Sequence, residues 1–218
     1  MKSTYINQGY HHKQNNLPSV TTVLKSTQSP KSLAALSSWR KTIGKTKANQ
    51  IVFNSFRCGK ALHKIIQEHL QGNLSKPTNK FIEPYWNSIQ PVLNELSDIQ
   101  LIEKLTPNYQ ENYSAKVDLV ARYKGIPHVI EWTTSEKPKF KVENLYDKPL
   151  QLVAYGGAIN RYYGENLFGC NICSGLIVVA LPDREAEIFE FDRASLIDYW
   201  KMWYSRLKLF YNLTHQNF

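Results

Sequence analysis

Acidic residues are missing from the first quarter of this sequence: no aspartate or glutamate precedes Glu68. Residues 1–60 hold 10 Lys+Arg, and the other 17 share residues 61–218 with all 18 acids. The formal net charge of +9 (27 − 18) therefore arises wholly ahead of the first acid. An acid-free basic segment joined to a near-neutral body points to a polyanionic partner, nucleic acid first. On charge alone, a solvated basic face with no ligand is the competing reading.

Long apolar runs are missing too. No stretch approaches the ~20 residues of a membrane-spanning helix, and the densest run, Leu176–Leu181, is strand-sized. Near the start there is no apolar signal-peptide core, and Met1–Asn16 lacks the Arg-rich amphipathic character of a mitochondrial presequence. Cysteine is scarce: three residues, an odd count, argue against a disulfide framework and for a reducing compartment. Cys170-x-x-Cys173, with Cys58 far upstream, falls short of a four-ligand zinc site or a four-thiolate cluster, so packed, unmetallated cysteines are expected. No P-loop is present, so any duplex unwinding would come from a partner.

What is present describes a globular protein. The chain of 218 residues is 42% hydrophobic and 12% aromatic, enough for one domain with a real core. Residues 1–16 read as a flexible polar arm. Leu17–Leu24 reads as a short helix with Ser19 as N-cap, and Ser29-Pro30 opens a second with Leu33, Leu36 and Trp39 at helical spacing. Lys45–Leu70 reads as a long helix with Leu62, Ile65, Ile66 and Leu70 on its apolar face, and Lys80–Leu96 as another, kinked at Pro91. The period then changes to that of strands at Ile99–Leu105, Tyr113–Tyr123 and His128–Thr134, with Lys124-Gly125 as a turn. A helix at Asp147–Tyr163, strands at Ser174–Leu181 and Ala186–Phe191, and a closing helix at Ala194–Leu213 complete the order. This is an α/β layout: helices packed on a mixed sheet.

Two acids stand out on these strands. Asp118 lies mid-strand in Ala115-Lys116-Val117-Asp118, and Glu131 ends the apolar run Val129-Ile130 on the next strand. Their separation of 13 lets antiparallel pairing across Gly125 bring both carboxylates to one end of the hairpin. Close carboxylates repel unless a cation neutralises them, and hard oxygen ligands suit Mg²⁺ or Mn²⁺. Spacing alone would also describe two unrelated strand-end acids.

Four motifs in register set these acids in context. Arg57-Cys58-Gly59-Lys60-Ala61-Leu62-His63, then Asp118, then Val129-Ile130-Glu131-Trp132-Thr133-Thr134-Ser135-Glu136-Lys137, then Gln151-Leu152-Val153-Ala154-Tyr155 resemble the RecB-like branch of the PD-(D/E)XK nucleases. Within it they are most similar to the mitochondrial genome-maintenance exonucleases and their bacterial and phage relatives. The Leu17-Pro18-Ser19-Val20-Thr21 opening is similar too, and the likeness spans roughly residues 17–160. The resemblance implies a restriction-endonuclease-like core with a mixed sheet flanked by helices and an N-terminal helical extension. It divides the chain into the arm at 1–16, a basic strand-gripping helical region at 17–97 and a nuclease core at 98–218.

The same resemblance implies roles. Asp118 and Glu131 match the metal-binding acids, joined by His63 and the Trp132 carbonyl, with Glu103 in the outer shell. Gln151 and Tyr155 match a Gln-x-x-x-Tyr element beside the site. The motif lysine, two residues after the second acid, is replaced here by Thr133, which cannot supply a cation. Losing such a group costs about 10²–10⁴ in rate if nothing replaces it. Lys116, two residues before Asp118 on the same strand face, and Lys137, beyond the strand, are the candidate substitutes, Lys116 the better placed.

The expectation is a metal-dependent deoxyribonuclease, an exonuclease on single-stranded DNA. Lys41, Lys45, Lys47, Arg57, Lys60 and Lys137 would contact nucleic acid, and the basic cluster by itself would serve duplex DNA or RNA equally well. No membrane and no small-molecule cofactor are expected, and helicase or other replication and repair partners are. The compartment would be the cytoplasm near the nucleoid for a bacterial or phage protein, or the mitochondrial matrix for a processed organelle protein. The alternative, favoured by Thr133, is a weakened or inactive nucleic-acid-binding protein on a nuclease fold. A third reading is another metal-dependent hydrolase, or a basic module that meets an acidic protein.

Overall fold

The computed structural model describes residues 17–73, 77 and 79–215, so the arm expected over 1–16 lies outside the described residues. Two serine-capped helices come first. In α1 (Val20–Ser26) Ser19 accepts from the Thr22 amide, and in α2 (Pro30–Ile43) Ser29 accepts from the Ser32 amide with Pro30 in the first turn. These hydroxyls satisfy amides that the first turn of a helix leaves unpaired. Gly44, at φ +85°, reverses the chain into the long α3 (Lys45–Leu70), and α4 (Glu83–Asn94) follows with Pro91 in its last turn. There the proline ring removes one intrahelical hydrogen bond rather than breaking a helix centre.

The sheet has five strands in the spatial order β1 (Leu96–Asn108), β2 (Tyr113–Tyr123), β3 (Ile126–Thr134), β4 (Gly175–Ala180), β5 (Glu187–Phe191). β1, β2 and β3 form an antiparallel meander. α5 (Lys148–Tyr163) carries the chain to β4, which runs parallel to β3, and β5 returns antiparallel. Every residue of β4 is buried, as its unbroken apolar run requires for a strand covered on both faces. β1 begins before Ile99 because a register shift between Ser97 and Leu101, with Asp98 at φ 46°, lets pairing continue through an irregular stretch.

Two apolar layers sandwich this mixed sheet. α1, α5 and α6 (Arg193–His215) cover one face with Val23, Leu152, Ile159, Trp203 and Leu207 against Val129, Ile177 and Val179. α3 and α4 cover the other with Leu62, Ile66, Ile89 and Val92 against Leu119, Ile130 and Trp132. α2 buries no residue at all. Its helical spacing is as expected, but Leu33 and Leu36 face solvent, because α2 folds back along α3 rather than over the sheet.

The cysteines need a correction. Cys58 is buried on α3, but Cys170 and Cys173 are exposed rather than packed, since they lie in the irregular segment ahead of β4 that no helix covers.

Candidate active site

Strand register assembles the acids. The pairs Ile102–Leu119 and Lys104–Val117 set Glu103 opposite Asp118. β2 and β3 pair as far as Leu119–Ile130, and the next step of that register is Asp118 with Glu131. Glu103, Asp118 and Glu131 thus form one row across three strands. The backbone ladder stops at this row: the Trp132 amide donates to Asp118 Oδ2 at 3.0 Å. β2 also changes phase here. Tyr113, Ala115 and Val117 pack in one core layer, Leu119, Ala121 and Tyr123 in the other. Glu103 sits at φ 49°, a left-handed conformation that costs a residue with a side chain of order 1–3 kcal/mol.

α3 delivers the imidazole. Leu62 anchors the helix to the sheet, fully buried, and the next residue, His63, reaches the sheet edge. Its Nδ1 lies 2.9 Å from Glu103 Oε1 and 3.7 Å from Asp118 Oδ1, and its Nε2 lies 3.2 Å from the Trp132 carbonyl. Both ring nitrogens face oxygen acceptors, so the ring donates twice and is an imidazolium. Burial alone would depress its pKa. The hydrogen bond to Glu103 and the charges of Asp118, Glu131 and Glu103 outweigh that and raise it to about 9.

Asp118 goes the other way. Burial and the Glu131 charge push its carboxyl well above the usual range, against the opposing pull of His63 and the Trp132 amide. Glu103 is held below the ordinary value because its bonds to His63 and Lys116 overcome the burial that would raise it. Ligand atoms of His63, Glu103 and Asp118 lie within 4.8 Å of one another. Carboxylates, a carbonyl and an imidazole fit a hard divalent cation, and the raised Asp118 marks buried negative charge that such a cation would relieve.

α5 closes the other side. Glu131 is 1% exposed; its Oε1 accepts from the Lys148 amine, and both its oxygens accept from Gln151 Nε2 at 3.1 Å. Gln151 Nε2 also donates to the Tyr155 hydroxyl at 2.6 Å. The charges of Glu131 and Asp118, with the hydrogen bond to Glu131, raise the Lys148 amine above the ordinary lysine value, although burial opposes this. Burial, then the charges of Glu131 and Asp118, push the Tyr155 hydroxyl up, so it stays protonated.

The expected site residues do not all meet. Glu103, His63, Asp118, Glu131, the Trp132 carbonyl, Gln151 and Tyr155 come together. Lys116 sits at the rim, 64% exposed, its amine 2.5 Å from Glu103 Oε2, while Thr133 is half-buried on β3. Arg57 and Lys60 line a cleft of ≈ 610 Å³ with Asn54, Lys64 and Phe81. Lys41, Lys45 and Lys47 are exposed at the α2–α3 turn. At 1.5 Å per residue, Lys47 is about 24 Å along α3 from His63, so these three are remote from the carboxylates. Lys137 lies in the loop after β3, its amide donating to Ser135 Oγ at 3.4 Å.

Sequence reasoning passed over Lys148. Its signal was helical spacing: 148, 151 and 155 share one face of α5, the face of Gln151 and Tyr155. It also passed over two exposed aromatics in the β3–α5 loop, Phe140 (76% exposed, φ 60°) and Tyr146 (82% exposed, φ 54°). Lys139 lies over the Tyr146 ring at 5.8 Å. Both aromatics hold a left-handed backbone that bulky residues seldom adopt.

An acid row on a mixed sheet, with a Gln-x-x-x-Tyr helix against it, is the arrangement that the sequence resemblance to PD-(D/E)XK nucleases implies. The sequence is 35% identical to mitochondrial genome maintenance exonuclease 1 of Mus musculus, over 90% of this chain and 59% of that protein. It is 32% identical to the same-named protein of Homo sapiens, over 90% of this chain and 58% of that one. The chain therefore spans under two thirds of the length of these relatives. A crystal structure of a phage-related exonuclease from Haemophilus somnus is 15% identical, covering 93% of this chain and 96% of that one, with a TM-score of 0.35, too low to add to the argument. No protein-family model matches the chain. The chain is thus a homologue of the mitochondrial genome maintenance exonucleases over about 90% of its own length, and its acid row and Gln-x-x-x-Tyr helix resemble those of the PD-(D/E)XK nucleases.

Proposed function

We propose that the protein is a metal-dependent deoxyribonuclease that hydrolyses phosphodiester bonds from an end of single-stranded DNA. The observation that carries this reading is the row Glu103–Asp118–Glu131 with His63 set against it. Asp118, Glu131 and the Trp132 carbonyl would hold a Mg²⁺ or Mn²⁺ ion, with His63 as a further ligand and Glu103 behind it. The ion would supply charge to a phosphoryl oxygen and acidity to a bound water. Gln151 fixes the Glu131 carboxylate through both oxygens, so that this acid keeps one orientation. Tyr155, protonated, holds Gln151 in turn.

Substrate grip follows from the surface chemistry. Arg57, Lys60 and Lys64 offer cations for phosphates beside exposed Phe53, Phe56 and Phe81, and Phe140 and Tyr146 offer exposed rings in the β3–α5 loop. Basic residues interleaved with exposed rings suit a strand whose bases are unpaired and free to stack. A duplex would hide those bases. A helicase or another replication or repair factor would then supply the single strand. A weakened, binding-only protein remains the reading that the same experiment decides against or for.

The test is cleavage of end-labelled single-stranded DNA with Mg²⁺ or Mn²⁺, against duplex DNA and RNA of the same sequence. Stepwise shortening of the single strand that EDTA and Asp118→Ala both abolish is the expected result. DNA that stays intact for hours while still bound would sink the proposal.

A further inference from the structure

The position that carries the motif lysine is Thr133, yet the site is not without a lysine. We infer that Lys148, on the first turn of α5, supplies the positive charge that a lysine at position 133 would have supplied. This rests on the nuclease reading above and names the group that reading lacks.

Geometry favours Lys148 over the other lysines. Residues two apart on a strand point to the same face, so Glu131 and Thr133 share a face with Val129. Val129 packs with Leu152, Val153 and Tyr155 in the layer that α5 covers. α5 therefore lies over the face from which a lysine at 133 would project. From that helix the Lys148 amine reaches Glu131 Oε1 directly. Lys116 holds Glu103 at the opposite end of the acid row and is 64% exposed. The Lys148 side chain is 31% exposed and its amine is in contact with the buried acid.

The local sequence also sets Lys148 against ordinary helix chemistry. A cation in the first turn opposes the helix dipole by roughly 0.3–1 kcal/mol. α5 nonetheless begins Lys148-Pro149 with no acid in that turn, and the N-cap Asp147 makes no capping bond, reaching Arg206 instead. Position 148 is thus poor as a helix start and well placed as a neighbour of Glu131.

In the step itself, the oxygen of a water forms a new bond to phosphorus as the bond to the leaving sugar oxygen breaks. The bonding pair leaves with that sugar oxygen, and the proton lost by the water is balanced by one that the sugar oxygen gains from solvent. Lys148 keeps its protons throughout. It contributes charge, facing the phosphate as negative charge builds on the oxygens around phosphorus.

The experiment compares four proteins: the natural chain, Lys148→Met, Thr133→Lys, and the double variant Thr133→Lys/Lys148→Met. Single-turnover cleavage of end-labelled single-stranded DNA is read with DNA affinity in EDTA and the melting shift caused by Mn²⁺. Lys148→Met is expected to slow cleavage by about 10²–10⁴, to bind DNA within about twofold, and to keep the Mn²⁺ shift, since Asp118, Glu131, the Trp132 carbonyl and His63 remain. Adding Thr133→Lys to it should restore the rate at least tenfold, which a merely structural lysine would not allow. Three results overturn the inference while leaving the nuclease reading intact: Lys148→Met cutting at the natural rate, a double variant no faster than Lys148→Met, or loss of the Mn²⁺ shift in Lys148→Met. A natural chain that fails to cut while Thr133→Lys cuts would also overturn it. If none of the four cuts, the nuclease reading falls as well.

Discussion

Asp118 is a residue that the metal-free fold tolerates rather than needs. Its carboxyl titrates well above the usual range because burial and Glu131 oppose ionisation. A carboxyl raised in the fold costs stability as pH climbs past its unfolded value, so the penalty is present at neutral pH. Asp118→Asn keeps an oxygen for the Trp132 amide and removes the charge. Without metal at pH 7 it should melt higher than the natural protein, and it should lose both the Mn²⁺ shift and cleavage. A lower melting point would mean that the charge is already compensated. His63 has the opposite sign. Raised from 6.5 to about 9, it contributes stability that is complete below pH 6.5 and is lost as pH rises through 9, about 3 kcal/mol over that window. Urea titrations across pH 6–9.5 should show that fall, and His63→Gln should flatten it. A metal that takes Nδ1 or Nε2 must displace a proton. Calorimetry at pH 7 in buffers of different ionisation heat should therefore count about one proton released. Asp118, Glu131 and His63 were legible as candidates because each sits in a recognisable run of neighbours. Lys148 was not, since helical spacing sets it on the Gln151 and Tyr155 face of α5 without tying it to an acid 17 residues upstream; only the crossing of α5 over β3 does.

Periodicity located the elements because each carries an apolar stripe or, in β4, an unbroken apolar run. It could not say what a dry side meets. Leu33 and Leu36 carry the same helical spacing as Leu62 and Ile65, and only the second pair finds a sheet. Register was legible through the turn at Gly125, which fixes how β2 meets β3. The Glu103–Asp118 pairing was not, because it is set by the β1–β2 turn after Asn108, and β1 was expected to end at Leu105. The contact between α5 and α6 depends on one glycine. A Cβ at Gly157 would lie 2.2 Å from Trp200 Cζ3. Gly157→Ala forces that indole aside and should destabilise by about 1–3 kcal/mol, an overpacking cost. At this size that lowers the melting point by about 2–4 °C for each kcal/mol. An unchanged melting point would mean that Trp200 swings away freely.

Across the whole molecule, the basic segment and the acid row are separate in sequence and meet along α3. The cleft beside His63 is basic, while the acids lie in the sheet. Binding of single-stranded DNA should weaken steeply with salt, by about 0.7 in log–log slope for each phosphate contacted. Arg57→Ala/Lys60→Ala should therefore flatten that slope by about 1.4 and leave the Mn²⁺ melting shift alone. An unchanged slope would place the strand elsewhere. The unburied helix α2 has a further consequence. With no residue seated in the core, and only Gly44 and contacts at the surface of α3, such as the exposed Arg40–Asn49 hydrogen bond, holding it, its free energy of local opening is small. Its amide hydrogens should exchange with solvent far faster than those of α5. If a strand lodges between α2 and the cleft, those amides should slow in step with occupancy, so that exchange in one helix becomes a gauge of how much DNA the enzyme is holding.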